Sequence, residues 1–366
     1  MTVYQAGAPA AAPPRHHQGA WAWMRQSLFS SPLNTMLTVL VGWLLLMAVP
    51  ASVEWLFIKA NFSATNAQEC RESGGACWAF IVEKHRFILF GIYPYDEQWR
   101  PLLASIVLVG VIVCSCIRWF WKPWLPILWV VGLATVAVLM WGGVFGLSLV
   151  ENDRWGGLPV TLILSTFGIA FAFPFGLLLA LGRRSSMPAV KSICVIYIEL
   201  IRGVPLISLL FMSSVMLPLF LPEGFSIDKL LRAQIAIILF AAAYIAETVR
   251  GGLQAIPKGQ YEGADSLGLT YWQTMRKIIL PQALKIVIPP LVGIFIALFK
   301  DTSLVVIIGI FDLTQAAKTA VSDAAWRGFS TEAYLFIAFI YFLFCYSISR
   351  YSQSLEKQLS TGHQRS

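Results

Sequence analysis

Apolar stretches long enough to cross a lipid bilayer recur eight times along this chain, and no other feature constrains its fold as strongly. They lie at about 34–57, 102–121, 124–146, 158–182, 201–221, 233–249, 286–304 and 333–350. A helix needs about 20 apolar residues to cross about 30 Å of hydrocarbon, and inside it every backbone polar group must bond within its own segment. The alternation that marks barrel strands is not visible, so the runs are read as helices. Hydrophobic residues make up 57% of the 366 and charged residues 13%, a balance that a soluble globule could not bury. The expected fold class is an all-α membrane protein with about eight transmembrane helices.

An even number of spans puts both termini on one side. Of the 27 Lys and Arg, sixteen fall on one face of that topology and eleven on the other, five of these in one long loop where the charge rule is weak. The bias predicts that both termini are cytoplasmic. The net charge of +8 therefore reports orientation first, and no nucleic-acid partner is read from it. The first apolar run has an alternative as a signal peptide, because small residues follow it at Ala48 to Ser52. A polar leader of some thirty residues is too long for that role, and cleavage would leave seven spans.

Composition divides the chain further. Residues 1–33 form a low-complexity tail, expected to be cytoplasmic and disordered. Its His16 and His17 lack the further ligands of a metal site, and no metal is expected. Residues 34–146 hold three helices and a loop, 58–101, expected on the outer face. A polar, Gly-rich connector, 147–157, separates them from a five-helix region, 158–350, and 351–366 forms a cytoplasmic tail. Cys70 and Cys77 share the outer loop in "ECRESGGAC", so a disulfide between them is expected, with two free thiols as the alternative. Cys114, Cys116, Cys194 and Cys345 read as small packing residues.

One segment does not fit a membrane span or a simple turn. "QYEGADSLGLTYWQTMRKIILPQ", 260–282, reads as a helix from Glu262 ended by Gly268, then a second over 271–280, with Pro281 opening the next element. Trp272, Met275 and Ile279 form an apolar stripe at i, i+3 and i+7, while Arg276 and Lys277 point elsewhere. Such a stripe is covered either by another protein or by lipid headgroups. No G-x-x-x-x-G-K-[ST] occurs, so the chain has no phosphate-cradling loop of its own. Uphill transport through it requires a partner that handles nucleotide.

The spacing E-G-A-x-x-x-G, nine residues, then I-x-L-P places Glu262, Gly263, Ala264, Gly268, Ile278, Leu280 and Pro281 in a pattern that resembles the EAA loop of ABC importer permeases. Gly263 departs from the usual alanine there. "AYIAETVRGGLQAIPKGQYEGADSLGL" at 243–269, "ELIRGVPLI" at 199–207 and "KDTSL" at 300–304 are similar to segments of permeases of the polar amino-acid uptake family. The first three spans with their long loop resemble the M subunit of the general L-amino-acid importer. The resemblance implies a type I importer core of five helices preceded by three accessory helices, in the bacterial inner membrane. It also implies a coupling loop, 256–282, on which Trp272 and Met275 join the motif residues in contacting an ATPase. The partners implied are a homologous permease in a heterodimer, two copies of an ABC ATPase that bind ATP and Mg, and a periplasmic solute-binding protein. The substrate implied is an amino acid. This chain itself is expected to be no enzyme and to hold no cofactor.

Ionisable groups in spans are functional candidates. E-x-x-R-G occurs twice, as Glu199 with Arg202 and Glu247 with Arg250, and each pair can close on itself at i, i+3. They are candidates for a gate or for interfacial ion pairs. Lys300, Asp301, Thr302 and Ser303 offer both donors and acceptors to a zwitterion, or form a helix-end network. Pro205, and Pro174 in "FAFPFG", are expected to break their helices. The alternatives from other classes are an ion-coupled secondary transporter or channel without ATPase, favoured by inverted repeats that are not found, and a membrane scaffold with no solute path.

Overall fold

The computed structural model describes residues 19–222, 224 and 226–360, so Arg15, the His16–His17 pair and Arg365 lie outside the described residues. These residues are helical almost throughout, with two isolated bridges, Asn61 to Cys77 and Gly157 to Asp312. They divide into two compact units, one up to Trp78 and the other from Ala79 onward.

In the first unit, α1 (Ala20–Ser27) is helical within the segment that composition marks as a disordered tail. Ser31 caps α2 (Pro32–Val53) by accepting from the Asn34 N–H at 3.2 Å, and Pro32 occupies the first helical position, where a missing N–H does no harm. α2 continues through a wide turn, Glu54–Ile58, and none of it is buried against other protein. The short α3 (Ala67–Ser73) carries Cys70, joined to Cys77 by a disulfide with the Cα atoms 5.4 Å apart. The Trp78 indole N–H donates to Leu56 O at 2.8 Å, which ties the end of this loop to the end of α2.

α4 (Trp78–Phe90) starts on the last residue of the first unit and otherwise belongs to the second, which also contains α5 (Trp99–Cys116), α6 (Leu125–Trp141), α7 (Gly157–Arg183), α8 (Pro188–Arg202) and α9 (Leu206–Phe211). It continues with α10 (Lys229–Ala255), α11 (Lys258–Ser266), α12 (Tyr271–Thr274), α13 (Leu280–Asp301), α14 (Leu313–Val321) and α15 (Ser330–Ser360). Six helices among the described residues are long and apolar enough to span a membrane, or seven when the bent pair 188–202 and 206–220 counts as one. α6, at 17 residues, is shorter than the rest, so the expected count of eight is not reached on length and composition.

The 147–157 connector is not a boundary between compact units. Val150 N–H donates to Trp141 O at 2.8 Å, Arg100 donates to Ser148 O at 3.0 Å, and Gly157 N–H donates to Phe311 O at 2.8 Å. These bonds fasten α5 and α6 to the five-helix region. Likewise α15 runs past 350, through most of the expected tail.

The core is built on α7 and α10, which pack together through small residues. Ala241, Ala242, Ala243 and Ala246 are buried on α10, and a Cβ on Gly176 would lie 2.8 Å from Ala242 O. Close backbone approach of this kind is how helices associate where hydrophobicity gives no preference for protein over lipid. Pro205 does break its helix, since α8 and α9 meet at 102° across 203–205. Pro174 does not: α7 passes through it without interruption.

Candidate functional site

The polar segment forms a rigid arm between α10 and α13. α11 starts at Lys258, four residues before the expected start at Glu262, because Pro257 holds an extended conformation and launches the helix after it. Its end is a Schellman cap: Leu269 N–H donates to Ala264 O at 3.2 Å and Gly268 N–H to Asp265 O at 2.9 Å. Gly268 has φ +66°, a left-handed conformation that side chains with a Cβ resist. Thr270 and Gln273 then form a reciprocal capping box that starts α12. The chain widens into a π turn, Met275–Ile279, before Pro281 sits in the first turn of α13.

The expected apolar stripe is divided. Met275 and Ile279 are buried inside the protein with Ala264, which stabilises the arm by about 2 kcal/mol for each large side chain. Trp272 is 67% exposed and Leu267 76% exposed. The Tyr271 and Trp272 rings meet edge to face at 5.4 Å, so three uncovered apolar side chains form the tip. Ile278 and Leu280 are partly buried and Pro281 and Gly263 exposed. Arg276 and Lys277 face solvent, as do Glu262 and Asp265. Among the described residues the Glu262 carboxylate has no hydrogen-bond or ion-pair partner, so it does not tie the arm together and is open to another molecule.

Residues outside the sequence motif hold the arm to the helices. Arg184, at the end of α7, donates to Tyr261 Oη at 3.0 Å and to Leu253 O at 3.1 Å. Gln282 donates to Gln260 Oε1 at 3.0 Å, joining α13 to α11. The sequence signal for these is faint: a basic pair at a helix end, and polar residues flanking the motif.

At the same end of the core the ionisable groups join three helices. Arg183 lies 2.8 Å from Glu199 and 3.4 Å from Glu247; Glu247 is 2.5 Å from Arg250 and 3.8 Å from Arg202. The second E-x-x-R pair closes on itself as expected. The first does not, because Glu199 turns to α7 and Arg202 to α10. Lys300 to Ser303 lie at the opposite end of α13, about 33 Å away at about 1.5 Å per residue over its 22 residues. There Thr302 is fully buried and donates to Phe299 O at 2.7 Å, while Lys300 is exposed and Asp301 and Ser303 half-buried. The structure thus separates the two charge sets.

Near that second end is a buried carboxylate that sequence reasoning does not single out. Asp312 caps α14, accepting from Gln315 N–H at 2.9 Å and Thr314 N–H at 3.1 Å. Burial pushes its pKa up to about 6 despite those bonds. An Asp ahead of "LTQAA" is the available signal.

Residues 172–361 match the family model described as "Binding-protein-dependent transport system inner membrane component". The chain is 53% identical to the inner membrane amino-acid ABC transporter permease protein YhdY of Escherichia coli (strain K12), over 94% of each chain. It is 41% identical to the glutamate/glutamine/aspartate/asparagine transport system permease protein BztC of Rhodobacter capsulatus, over 94% of this chain and 95% of the relative. Among solved structures it is similar to the crystal structure of an amino acid ABC transporter with histidines, at 36% identity and a TM-score of 0.50, covering 55% of this chain and 92% of that one. With a type I fold, several membrane helices and a matched family model over the core, the chain belongs to the inner membrane components of binding-protein-dependent transport systems, the non-catalytic permease subunits of ABC transporters.

Proposed function

We propose that this permease carries polar L-amino acids inward by alternating access, driven by an ABC ATPase that docks on the arm 256–282. The observation that supports this reading is the tip itself. Leu267, Tyr271 and Trp272 are uncovered on a helix pair fastened to α7, α10 and α13, beside carboxylates that have no partner among the described residues. The exposed charges of the arm are mixed, Glu262 and Asp265 with Arg276 and Lys277, rather than the basic set that anionic headgroups would favour. Force on such an arm reaches the spans directly.

In this reading Glu262, Gly263, Ala264, Gly268, Trp272, Met275, Ile278, Leu280 and Pro281 form or shape the coupling surface. The ATPase, in two copies, binds ATP and Mg. A homologous permease completes the pore as a heterodimer, and a solute-binding protein delivers substrate. The arm is cytoplasmic in this reading, and the Lys/Arg bias along the sequence supports cytoplasmic termini and a periplasmic Cys70–Cys77 loop. The amino-acid class is supported by the names of the relatives. The network of Glu199, Arg202, Glu247 and Arg250 gates the inner side, and Lys300, Asp301, Thr302 and Ser303 shape the outer end of the path.

Co-purification tests the reading. Glu262→Ala combined with Gly268→Val is expected to abolish recovery of the ATPase and ATP-driven amino-acid uptake. Stable assembly and undiminished uptake in that double variant would contradict it.

A further inference from the structure

α5 and α15 end around a cleft of about 370 Å³ lined by Arg118, Trp121, Tyr351, Ser354, Leu355 and Gln358 among others. On α15 these residues fall at i, i+3, i+4 and i+7, a single helix face. Glu356, the nearest acid in sequence, is off that face, and no carboxylate pairs with Arg118 among the described residues. Trp121 is held in place because its indole N–H donates to Ser115 O at 2.8 Å. Beside it Lys122 sits 4.9 Å above the Trp119 ring, and Trp119 and Trp124 are exposed.

The depth of the cleft follows from helix length. The span ending α5 stops at Cys116, two residues before Arg118. The span 330–358 has 29 residues, about 44 Å of helix at about 1.5 Å per residue. About 30 Å of that crosses hydrocarbon, and the full bilayer with headgroups is about 40–45 Å thick. Residues 351–358 therefore reach the headgroup layer at the level where the exposed tryptophans sit.

We propose that this cleft binds the phosphate headgroup of an anionic phospholipid. The Arg118 guanidinium takes the phosphate, the Ser354 and Tyr351 hydroxyls supply further hydrogen bonds, and Trp121 and Leu355 cover the glycerol and first methylenes. A bound lipid then joins accessory helix α5 to core helix α15. Free phosphate shares the same chemistry, and a zwitterionic lipid shares the phosphate but adds a cation that Arg118 and Lys122 repel. The inference does not rest on ATPase docking.

The test uses the purified, delipidated full chain, with lipid retention read by native mass spectrometry. Phosphatidylglycerol is expected to remain bound where phosphatidylcholine does not. Arg118→Gln is expected to weaken retention about tenfold, the loss of one charge-assisted contact, while Arg118→Lys keeps most of it. Lys191→Gln, an exposed basic site elsewhere, is expected to change nothing. Ser354→Phe fills the cleft without altering charge and is expected to give the same loss as Arg118→Gln. Equal retention of both lipids, or retention unaffected by Arg118→Gln and Ser354→Phe, would overturn the proposal. Complete displacement of phosphatidylglycerol by millimolar inorganic phosphate would also overturn it, by making the cleft a free-anion site.

Discussion

Arg183 donates to Glu199 Oε1 across 2.8 Å, so the carboxylate of the first E-x-x-R-G motif is held by a neighbouring helix rather than by its own Arg202. The same arginine also faces Glu247, which three arginines surround. Glu247 is 22% exposed at its side chain and Glu199 55% exposed. Glu247→Gln is therefore expected to destabilise the purified protein by about 1–2 kcal/mol, because it strands several partly buried cations. Glu199→Gln is expected to cost no more than about 0.5 kcal/mol, as for exposed pairs. Unfolding in detergent distinguishes the two, and equal effects would contradict the network.

The two glycines of the arm are expected to respond in opposite directions. Gly263 lies within α11 with open space where a Cβ would project, so Gly263→Ala is expected to stabilise the helix by about 0.5–1 kcal/mol. Gly268 also has open space, yet its φ of +66° means that Gly268→Val is expected to cost about 1–2 kcal/mol through the backbone alone. Amide exchange across 258–274 reads both changes.

Cys70 and Cys77 are expected to resist alkylation until a reductant is added. Because the ring they close is short, with a sequence separation of 7, reduction is expected to cost about 2 kcal/mol in local stability. Labelling of both thiols in unreduced protein would contradict the bond.

Asp312 makes stability depend on pH with a definite sign. Its folded-state pKa, about 6, lies above the ordinary aspartate value of 3.8, so folding favours the protonated form. Stability is expected to fall as pH rises from about 4 to 6 and to level off above that, by a total of about 2–3 kcal/mol. Asp312→Asn, which can still cap α14, is expected to remove that slope. An unchanged slope would assign it to another group.

The helical class, the length of most spans and the turn at Gly268 are legible in the sequence, because each depends on local composition: apolar runs, a glycine at a helix end, a proline after it. Long-range packing decides the rest. Met275 and Ile279 share an apolar stripe with Trp272, but only the third dimension shows that the first two are covered by the protein's own helices. The i, i+3 spacing permits a Glu199–Arg202 pair as readily as a Glu247–Arg250 pair, and the position of Arg183 chooses between them. Pro174 and Pro205 look alike in sequence. Pro174 lies within the continuous α7, which packs along α10, whereas the second helix stops at Arg202 and resumes at Leu206 after Pro205 takes an extended conformation.

Contact between the arm tip and an ATPase is tested most directly by crosslinking. A photoreactive group placed at Leu267 or Trp272 in native membranes is expected to yield an adduct with the ATPase, lost when Glu262→Ala is combined with Gly268→Val. Adducts with lipid alone at both positions would contradict the account.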